Sequence, residues 1–560
     1  MQVHFSLLMK SCTTGIIPTF IFSAQCIKTI TYIHHNIDKF IFLCFKSVFE
    51  EFKNEKHFDF NQQSGCLFSM IINIAFPVLS GVLAAVSFYS DKLFFVIFFA
   101  LIPLMYSFSN DKKIYKIYLY SFFFNFFSYL WLYNISSRIT SNLVLKIIIS
   151  LLLISALSSV LSLLFTFPFI TYRISKNPHL LYFPFLYIFG EWMQGIFPHV
   201  SLPWVRLGNV VSCFTAFIQT ASLFGTLFVS FLIVSINALL SYAFLSRKVT
   251  VKSIAVITAS FLFSINTLFG VQRLKGFEYS DLTAVIVQGN YPRESKFAAS
   301  PNEIFDKYSE LLDKSKIKNA DLIIFPETVF HSDIYTNTLS REKLYMLSCK
   351  YNSLLLFGSQ YKENEKYYNA CMTILPNKQA SAVYLKRKLV PFGEYNPFRF
   401  ISSKFTATDF SQAEQTRLIS SEYGLLGCSI CFESIFPKDV SENVIKGAEA
   451  IAILTNDSWL GEKIPLYQHH SHSIMRAVEN SRYVMTSTNT GISSVIDCNG
   501  KIASISKINT EYVISGNFQM KNELTFYTKY GDIIILPSCI IILWVFIGFY
   551  FQKVLKKKEN

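Results

Sequence analysis

A chain of 560 residues has room for two to four domains, yet only 16% of it is charged, against 51% hydrophobic and 16% aromatic. A soluble domain carries about 25% charge, and the deficit is what lipid demands, since a charge at mid-bilayer costs at least about 2.5 kcal/mol. The net charge of +14 would suit nucleic acid if it clustered on a soluble face, but much of it sits in short turns between apolar runs, so no nucleic-acid partner is expected.

Residues 1–65 read as an N-terminal extension of uncertain structure. Gly15 to Ala24 is apolar but too short to cross a bilayer, and Phe22-Ser23-Ala24-Gln25-Cys26 resembles a lipoprotein processing box only loosely, because Gln25 is too large for its position. From Cys66 the apolar runs lengthen: Cys66–Phe88, Leu93–Phe108, Ile117–Leu132, Ile147–Phe167, Leu180–Trp192, Leu223–Leu245 and Ile254–Leu268 are expected spans, with Ile533–Phe551 standing apart near the end. Crossing takes about 20 apolar residues, so the fifth and seventh runs are the shortest candidates.

The turns supply orientation. Lys112, Lys113, Lys116, Arg173, Lys176, Arg247, Lys248, Lys252 and the tail residues Lys553, Lys556, Lys557 and Lys558 fall on one side. Only Lys92, Arg138, Lys146 and Arg206 fall on the other. Positive-inside bias puts the rich set in the cytoplasm and therefore the long segment after the seventh run outside.

That segment, 271–531, has another texture. Short β-rich runs (Leu282–Gln288, Leu322–Phe325, Ser353–Phe357, Ala382–Leu385, Leu425–Ile430, Ala450–Leu454 and Tyr483–Ser487) alternate with amphipathic stretches such as Pro301–Lys316 and Tyr467–Ser481. Alternation of this kind implies a layered α/β domain with its own core. The expected organisation is thus an extension (1–65), a polytopic α-helical membrane domain (66–270), an α/β domain (271–531), a last span (532–552) and a basic cytoplasmic tail (553–560).

Three strand ends carry reactive groups: Glu327 after Ile323-Ile324-Phe325-Pro326, Lys386 after Tyr384-Leu385, and Cys431 after Gly427-Cys428-Ser429-Ile430. A cysteine past a strand can project into a crevice, where a lysine stabilises its thiolate and a carboxylate accepts its proton. Taken singly, each also fits a plainer role: an acid near a helix start, one of three basic residues on a turn, a small buried side chain. Cys428 and Cys431 form a CxxC pair, but zinc would need further ligands at matching spacing. The eleven cysteines form no framework, and Cys66, Cys213 and Cys539 are expected to act as small hydrophobes beside apolar runs. His469, His470 and His472 look like a ligand cluster, yet they open a helical run without a convergent carboxylate, so no metal is expected. Glu191, in an apolar setting beside Trp192, fits a functional acid or a marker of the outer interface with Trp204.

The order Glu, Lys, Cys at strand ends resembles the nitrilase superfamily, and the likeness extends further. Pro326-Glu327-Thr328, Leu389-Val390-Pro391-Phe392-Gly393-Glu394-Tyr395, Cys431-Phe432-Glu433, Asn456-Asp457-Ser458-Trp459-Leu460-Gly461 and Ser487-Thr488-Asn489-Thr490-Gly491 resemble signature segments of the apolipoprotein N-acyltransferases. So do Gln288-Gly289-Asn290, Pro203-Trp204, Gln219-Thr220-Ala221-Ser222-Leu223-Phe224-Gly225 and Tyr527-Thr528-Lys529-Tyr530-Gly531-Asp532. The likeness runs from about residue 66 to the C-terminus; Phe432 replaces a common Tyr, Phe325 a common Trp and Leu460 a common Phe.

The resemblance implies an α-β-β-α nitrilase-like sandwich outside a bacterial inner membrane and a cofactor-free acyl transfer through a cysteine thioester. In it Glu327 would be the general base, Lys386 the oxyanion stabiliser and Cys431 the nucleophile, with Glu394 and Glu433 supporting. The implied partners are the bilayer, a phospholipid acyl donor and a diacylated apolipoprotein acceptor. A membrane-anchored amidase and a non-enzymatic transporter or sensor are the alternatives. Phe398 and Phe400, in Pro397-Phe398-Arg399-Phe400-Ile401 with Phe405 and Phe410, are candidates for an apolar arm that touches lipid, and Trp459 is a further lipid- or substrate-facing candidate. Replacing Phe398 and Phe400 by Ser is expected to slow the use of lipid substrates more than alkylation of the thiol. Equal loss in the two rate measurements would count against the arm.

Overall fold

The computed structural model describes residues 71–136, 142–174, 180–197, 201–275, 281–292, 299–317, 319–333, 338–376, 384–396, 409–461 and 463–559. The N-terminal extension, Cys66, Phe398, Phe400 and Phe405 lie outside the described residues.

Each expected apolar run is helical where described: α1 (Ile71–Val86), α2 (Asp91–Asn110, broken by turns near Phe99), α3 (Tyr115–Ser128), α4 (Leu143–Tyr172), α5 (Phe183–Ile196), α6 (Ala221–Leu245) and α7 (Val249–Arg273). Helices α2, α4, α6 and α7 are long and apolar enough to cross a membrane. The seventh run, expected to be short, is a 25-residue helix because Val249 to Ser253 extend it backward and Phe269 to Arg273 forward. Outward positions of α4 and α7, including Leu152, Leu163, Ile257 and Phe261, are exposed yet apolar, as a face against lipid chains requires. Two basic residues of the turns are buried instead: Lys116 pairs with Asp111 and donates to the Ser107 carbonyl at 2.7 Å, and Arg206 precedes the helical turn Leu207–Val210. Glu191 accepts from Leu207 N–H at 2.8 Å, capping that turn.

The strands follow: β1 (Leu282–Gln288), β2 (Leu322–Ile324), β3 (Phe330–Asp333), β4 (Leu354–Glu363), β5 (Lys366–Ile374), β6 (Tyr384–Leu385), β7 (Ile419–Ser421), β8 (Gly424–Ile430), β9 (Ala450–Thr455), β10 (Val484–Thr488), β11 (Ser494–Ile496), β12 (Ile502–Ile505) and β13 (Tyr512–Phe518). One sheet runs β13-β1-β2-β4-β5-β6 with β3 beside β4, the other β12-β11-β10-β9-β8-β7. Strand β1 shows why they stack. Ala284 and Ile286 enter the core between the sheets with Ile430 and Met485, while Val285 and Val287 enter the core beneath the helices α8 (Pro301–Ser315) and α9 (Thr338–Tyr351). Helix α8 begins with a capping box, Ser300 with Glu303, and Pro301 fits its first position. Helices α10 (Pro437–Ile445) and α11 (Lys463–Asn480) cover the second sheet. The result is an α-β-β-α sandwich, followed by the closing helix α12 (Ile535–Glu559).

A single apolar cluster runs from Leu104, Phe165 and Ile233 of the membrane helices to Val440, Met475 and Ile453 of the sandwich. Polar contacts pin this junction. Helix α6 is interrupted at Gly225, whose φ of 75° and ψ of 178° free the Thr226 N–H from its helix. Glu479 of α11 receives that N–H at 2.9 Å and the Thr226 hydroxyl at 2.5 Å. Arg476 Nε stands 2.7 Å from Glu479 Oε2, close as an ion pair though not aligned as a hydrogen bond. A Cβ at 225 would also lie 2.4 Å from the Tyr527 ring. Gly225→Ala is therefore expected to cost about 1–3 kcal/mol from backbone strain alone, with the ring clash added. Thermal unfolding in detergent checks it, and an unchanged midpoint would refute the account.

Candidate active site

The ends of β2, β6 and β8 meet in one buried crevice. Past β2, Phe325 packs on Tyr308, Pro326 closes the strand, and Glu327 turns inward before Thr328 at φ 49°. This close approach of backbone requires Gly358 on β4, where a Cβ would sit 2.3 Å from Thr328 N and 2.6 Å from Glu327 Cα. Lys386 follows β6 and is only 1% exposed.

Lys386 Nζ donates to Glu327 Oε1 at 3.0 Å and to Glu394 Oε1 at 2.9 Å. The Asn369 amide on β5 spans the same two acids, donating at 2.8 and 2.7 Å. The remaining carboxylate oxygens accept backbone N–H groups, Glu327 Oε2 from Asn456 and Glu394 Oε2 from Val390, each at 2.8 Å. Burial alone would lower the Lys386 pKa, but the two carboxylates outweigh it and hold the ammonium above its usual range.

Cys431 opens a helical turn (Cys431–Ile435) directly after β8, with φ 52°. A side chain there is strained by about 1 kcal/mol or more, and hydrogen bonds on either side hold it. Ser434 Oγ donates to the Cys431 carbonyl at 2.8 Å. Glu433 accepts four donors: the N–H groups of Ile430 (2.7 Å), Arg387 (2.5 Å) and Lys388 (3.2 Å), and the Tyr384 hydroxyl (2.8 Å). Glu433 thus ties the turn of Cys431 to the strand end that carries Lys386. Burial pushes its pKa up to about 7 against the pull of these donors. Three of its four partners are backbone N–H groups, which can only donate, so they favour the carboxylate. Burial, then Glu327, hold the Cys431 thiol well above its ordinary range, while Lys386 pulls the other way.

Other expectations resolve differently. Cys428 lies in the core between the sheets, in the same cluster as Cys431, and Cys213 and Cys539 are exposed. Phe410 is buried, its N–H donating to the Glu394 carbonyl at 3.0 Å, and so belongs to the support of the site rather than to a lipid arm. Trp459 is half-buried edge-on against Trp131 of the helical part, at 5.8 Å. Phe432, which stands where Tyr is common, packs on Phe436. The three histidines part company. His469 pairs with Asp457 at 2.9 Å, His470 with the Ser494 hydroxyl at 2.8 Å, and His472 with the Trp204 carbonyl at 3.0 Å. Among the described residues no group of three such side chains is arranged to hold a metal. Asn369 escaped the sequence reading, because a lone amide within β5 (Lys366-Tyr367-Tyr368-Asn369-Ala370) carries no spacing signal.

A thiol, a carboxylate and an ammonium in a dry crevice on an α-β-β-α sandwich define a nitrilase-type enzyme, here carried on apolar helices. Residues 283–523 match the carbon-nitrogen hydrolase family and residues 80–239 the apolipoprotein N-acyltransferase N-terminal domain. An apolipoprotein N-acyltransferase of Geobacter metallireducens is 29% identical over 372 residues, 63% of this chain and 71% of that one. One of Thermotoga maritima is 29% identical over 496 residues, 85% and 94% of the two chains. The crystal structure of Saccharomyces cerevisiae Nit3, of the nitrilase superfamily, is 19% identical with a TM-score of 0.34, covering 43% of this chain and 90% of that one. The chain belongs to the apolipoprotein N-acyltransferase family and is a membrane-bound acyltransferase.

The raised thiol has a measurable consequence. Alkylation of Cys431 by iodoacetamide, which follows the thiolate fraction, is expected to climb still at pH 9, and Lys386→Met should slow it at any fixed pH. A plateau below pH 8 in the rate profile would contradict the electrostatics described here.

Proposed function

We propose that the chain moves a fatty acyl group from a phospholipid, through a thioester on Cys431, to the N-terminal amine of an S-diacylglyceryl-cysteine on an apolipoprotein. In the first half, Glu327 takes the Cys431 proton as sulfur attacks the ester carbonyl. The carbonyl oxygen becomes an oxyanion, met by Lys386 Nζ and the Phe432 N–H. Its collapse breaks the ester C–O bond, and the lysolipid leaves with the proton that Glu327 returns. In the second half, the amine attacks the thioester and gives its proton to Glu327. Collapse then forms the amide and releases the Cys431 sulfur, which regains that proton. The acyl group stays activated as a thioester, so no nucleotide enters.

The observation that carries this reading is the ion triad, in which one buried ammonium is held 3.0 and 2.9 Å from two carboxylates beside the turn of a buried thiol. Preorganised donors aimed at developing charge in a water-poor site supply several kcal/mol of catalysis. Glu394 keeps Lys386 in place and Glu433 keeps the turn of Cys431 in register with it.

Placement at a membrane suits both substrates, since drawing a chain into water costs about 0.8 kcal/mol per CH₂. The reading places residues 66–270 and 532–552 within a bacterial inner membrane, 271–531 on its periplasmic side and 553–560 in the cytoplasm. The charge asymmetry of the turns supports that orientation.

The experiment uses the enzyme in membranes with phospholipid and a diacylated lipopeptide. Wild type is expected to accumulate an acyl group on Cys431, seen by mass spectrometry, and to discharge it onto the peptide amine. Cys431→Ser should abolish transfer, and Glu327→Gln should slow it by about 10²–10⁴-fold. Discharge to water with an amide substrate consumed would favour an amidase instead, and indifference to Cys431→Ser would reject both.

A further inference from the structure

Besides the Lys386 triad, a buried acid–imidazole pair stands here that the acyl-transfer scheme leaves unused. Asp457 follows β9, and its Oδ1 accepts the Thr455 hydroxyl at 2.9 Å and faces His469 Nδ1 at 2.9 Å. Beyond the ring, His469 Nε2 stands 3.3 Å from the Cys431 carbonyl oxygen and 3.1 Å from Ser434 Oγ. Trp204, from the helical part, stacks on the same imidazole at 5.3 Å and 22°, its own Nε1 donating to Gln468 at 2.9 Å.

The protons can be assigned from the partners. A ring nitrogen against a carboxylate must donate, so Nδ1 carries hydrogen. The Ser434 hydroxyl already donates to the Cys431 carbonyl at 2.8 Å, so Nε2 faces two acceptors and must donate as well. The ring is then an imidazolium paired with Asp457. Burial alone would lower the His469 pKa, and Asp457 overrides it and raises it.

The carbonyl so held is one end of a rigid unit. A peptide bond is planar, so a donor fixed on the Cys431 C=O fixes the direction of the Phe432 N–H at the other end. That N–H lies in the first turn of a helix, where N–H groups have no partner within the helix, and it is the backbone donor that the scheme assigns to the oxyanion. Hydrogen bonds along one chain also polarise one another. We infer that His469, held by Asp457 and covered by Trp204, is a positioning residue: it locks the Cys431–Phe432 peptide so that the Phe432 N–H meets the oxyanion. The inference rests on the acyl-transfer reading above.

The test separates nucleophile from oxyanion support. His469→Phe keeps a flat ring beneath Trp204 and removes both donors, and His469→Gln keeps an amide donor. Two rates are measured in the full chain in detergent: alkylation of Cys431 by iodoacetamide, and single-turnover transfer of a fluorescent acyl chain from a phospholipid to Cys431. Removing an oxyanion donor outright costs about 10²–10³-fold. Disorienting one is therefore expected to slow acylation by His469→Phe at least about tenfold, with KM and alkylation within about threefold of wild type. His469→Gln should recover part of the loss.

Acylation unchanged in His469→Phe, or alkylation falling in parallel with it, overturns the inference. If His469→Phe does not fold, Asp457→Asn carries the test with the same expected split. A wild-type enzyme that forms no acyl-Cys431 overturns the acyl-transfer reading and this inference together. An active wild type beside an equally fast variant overturns this inference alone.

Discussion

The ammonium of Lys386 is buried, and almost everything about the crevice follows from what that burial demands. An isolated charge taken out of water is prohibitively costly unless it is paired and hydrogen-bonded. The fold answers with two carboxylates, Glu327 and Glu394, on one nitrogen. Two negative charges on one positive leave an excess, and the Asn369 amide spans both acids and softens their repulsion. Burial and the Glu327 charge together hold the neighbouring thiol above its ordinary range. In the proposed scheme, moving the proton from Cys431 to Glu327 leaves the total charge of the crevice unchanged and shifts negative charge onto sulfur.

Strain at Cys431 is held in the same economical way. Cys431 sits at a positive φ where the strand turns at once into a helical turn. Glu433 grips the chain on one side of that turn, and Ser434 and His469 grip the carbonyl on the other. Removing any of these would relax the turn toward an ordinary conformation and lose the alignment.

The membrane helices are part of this arrangement rather than a mere anchor. Gly225 breaks α6 and frees a backbone N–H, which Glu479 takes up, while Arg476 on the same helix reaches the Ser434 carbonyl at 3.3 Å. Trp204 covers His469 and Trp131 covers Trp459. The sandwich is thus keyed to the helices by charged and aromatic groups within a shared apolar cluster, which sets the crevice at a fixed height relative to the lipid-facing surface.

The amino-acid order alone was enough for the features that depend on local pattern. Continuous apolar runs mark the membrane helices, because lipid tolerates no other composition. Short, largely apolar runs mark β1 and β8, and Pro-Glu, Tyr-Leu-Lys and Ser-Ile-Cys mark the strand ends where reactive groups emerge. Strands such as β5 and β12 were hidden, because one mixes aromatic and polar residues and the other is exposed. Asn369, the four-donor cage of Glu433, the Asp457–His469 pair and the burial of Phe410 appear only in three dimensions. Their partners lie tens to hundreds of residues away, and a hydrogen bond between distant side chains leaves no mark on spacing, whereas burial and folding geometry decide it outright.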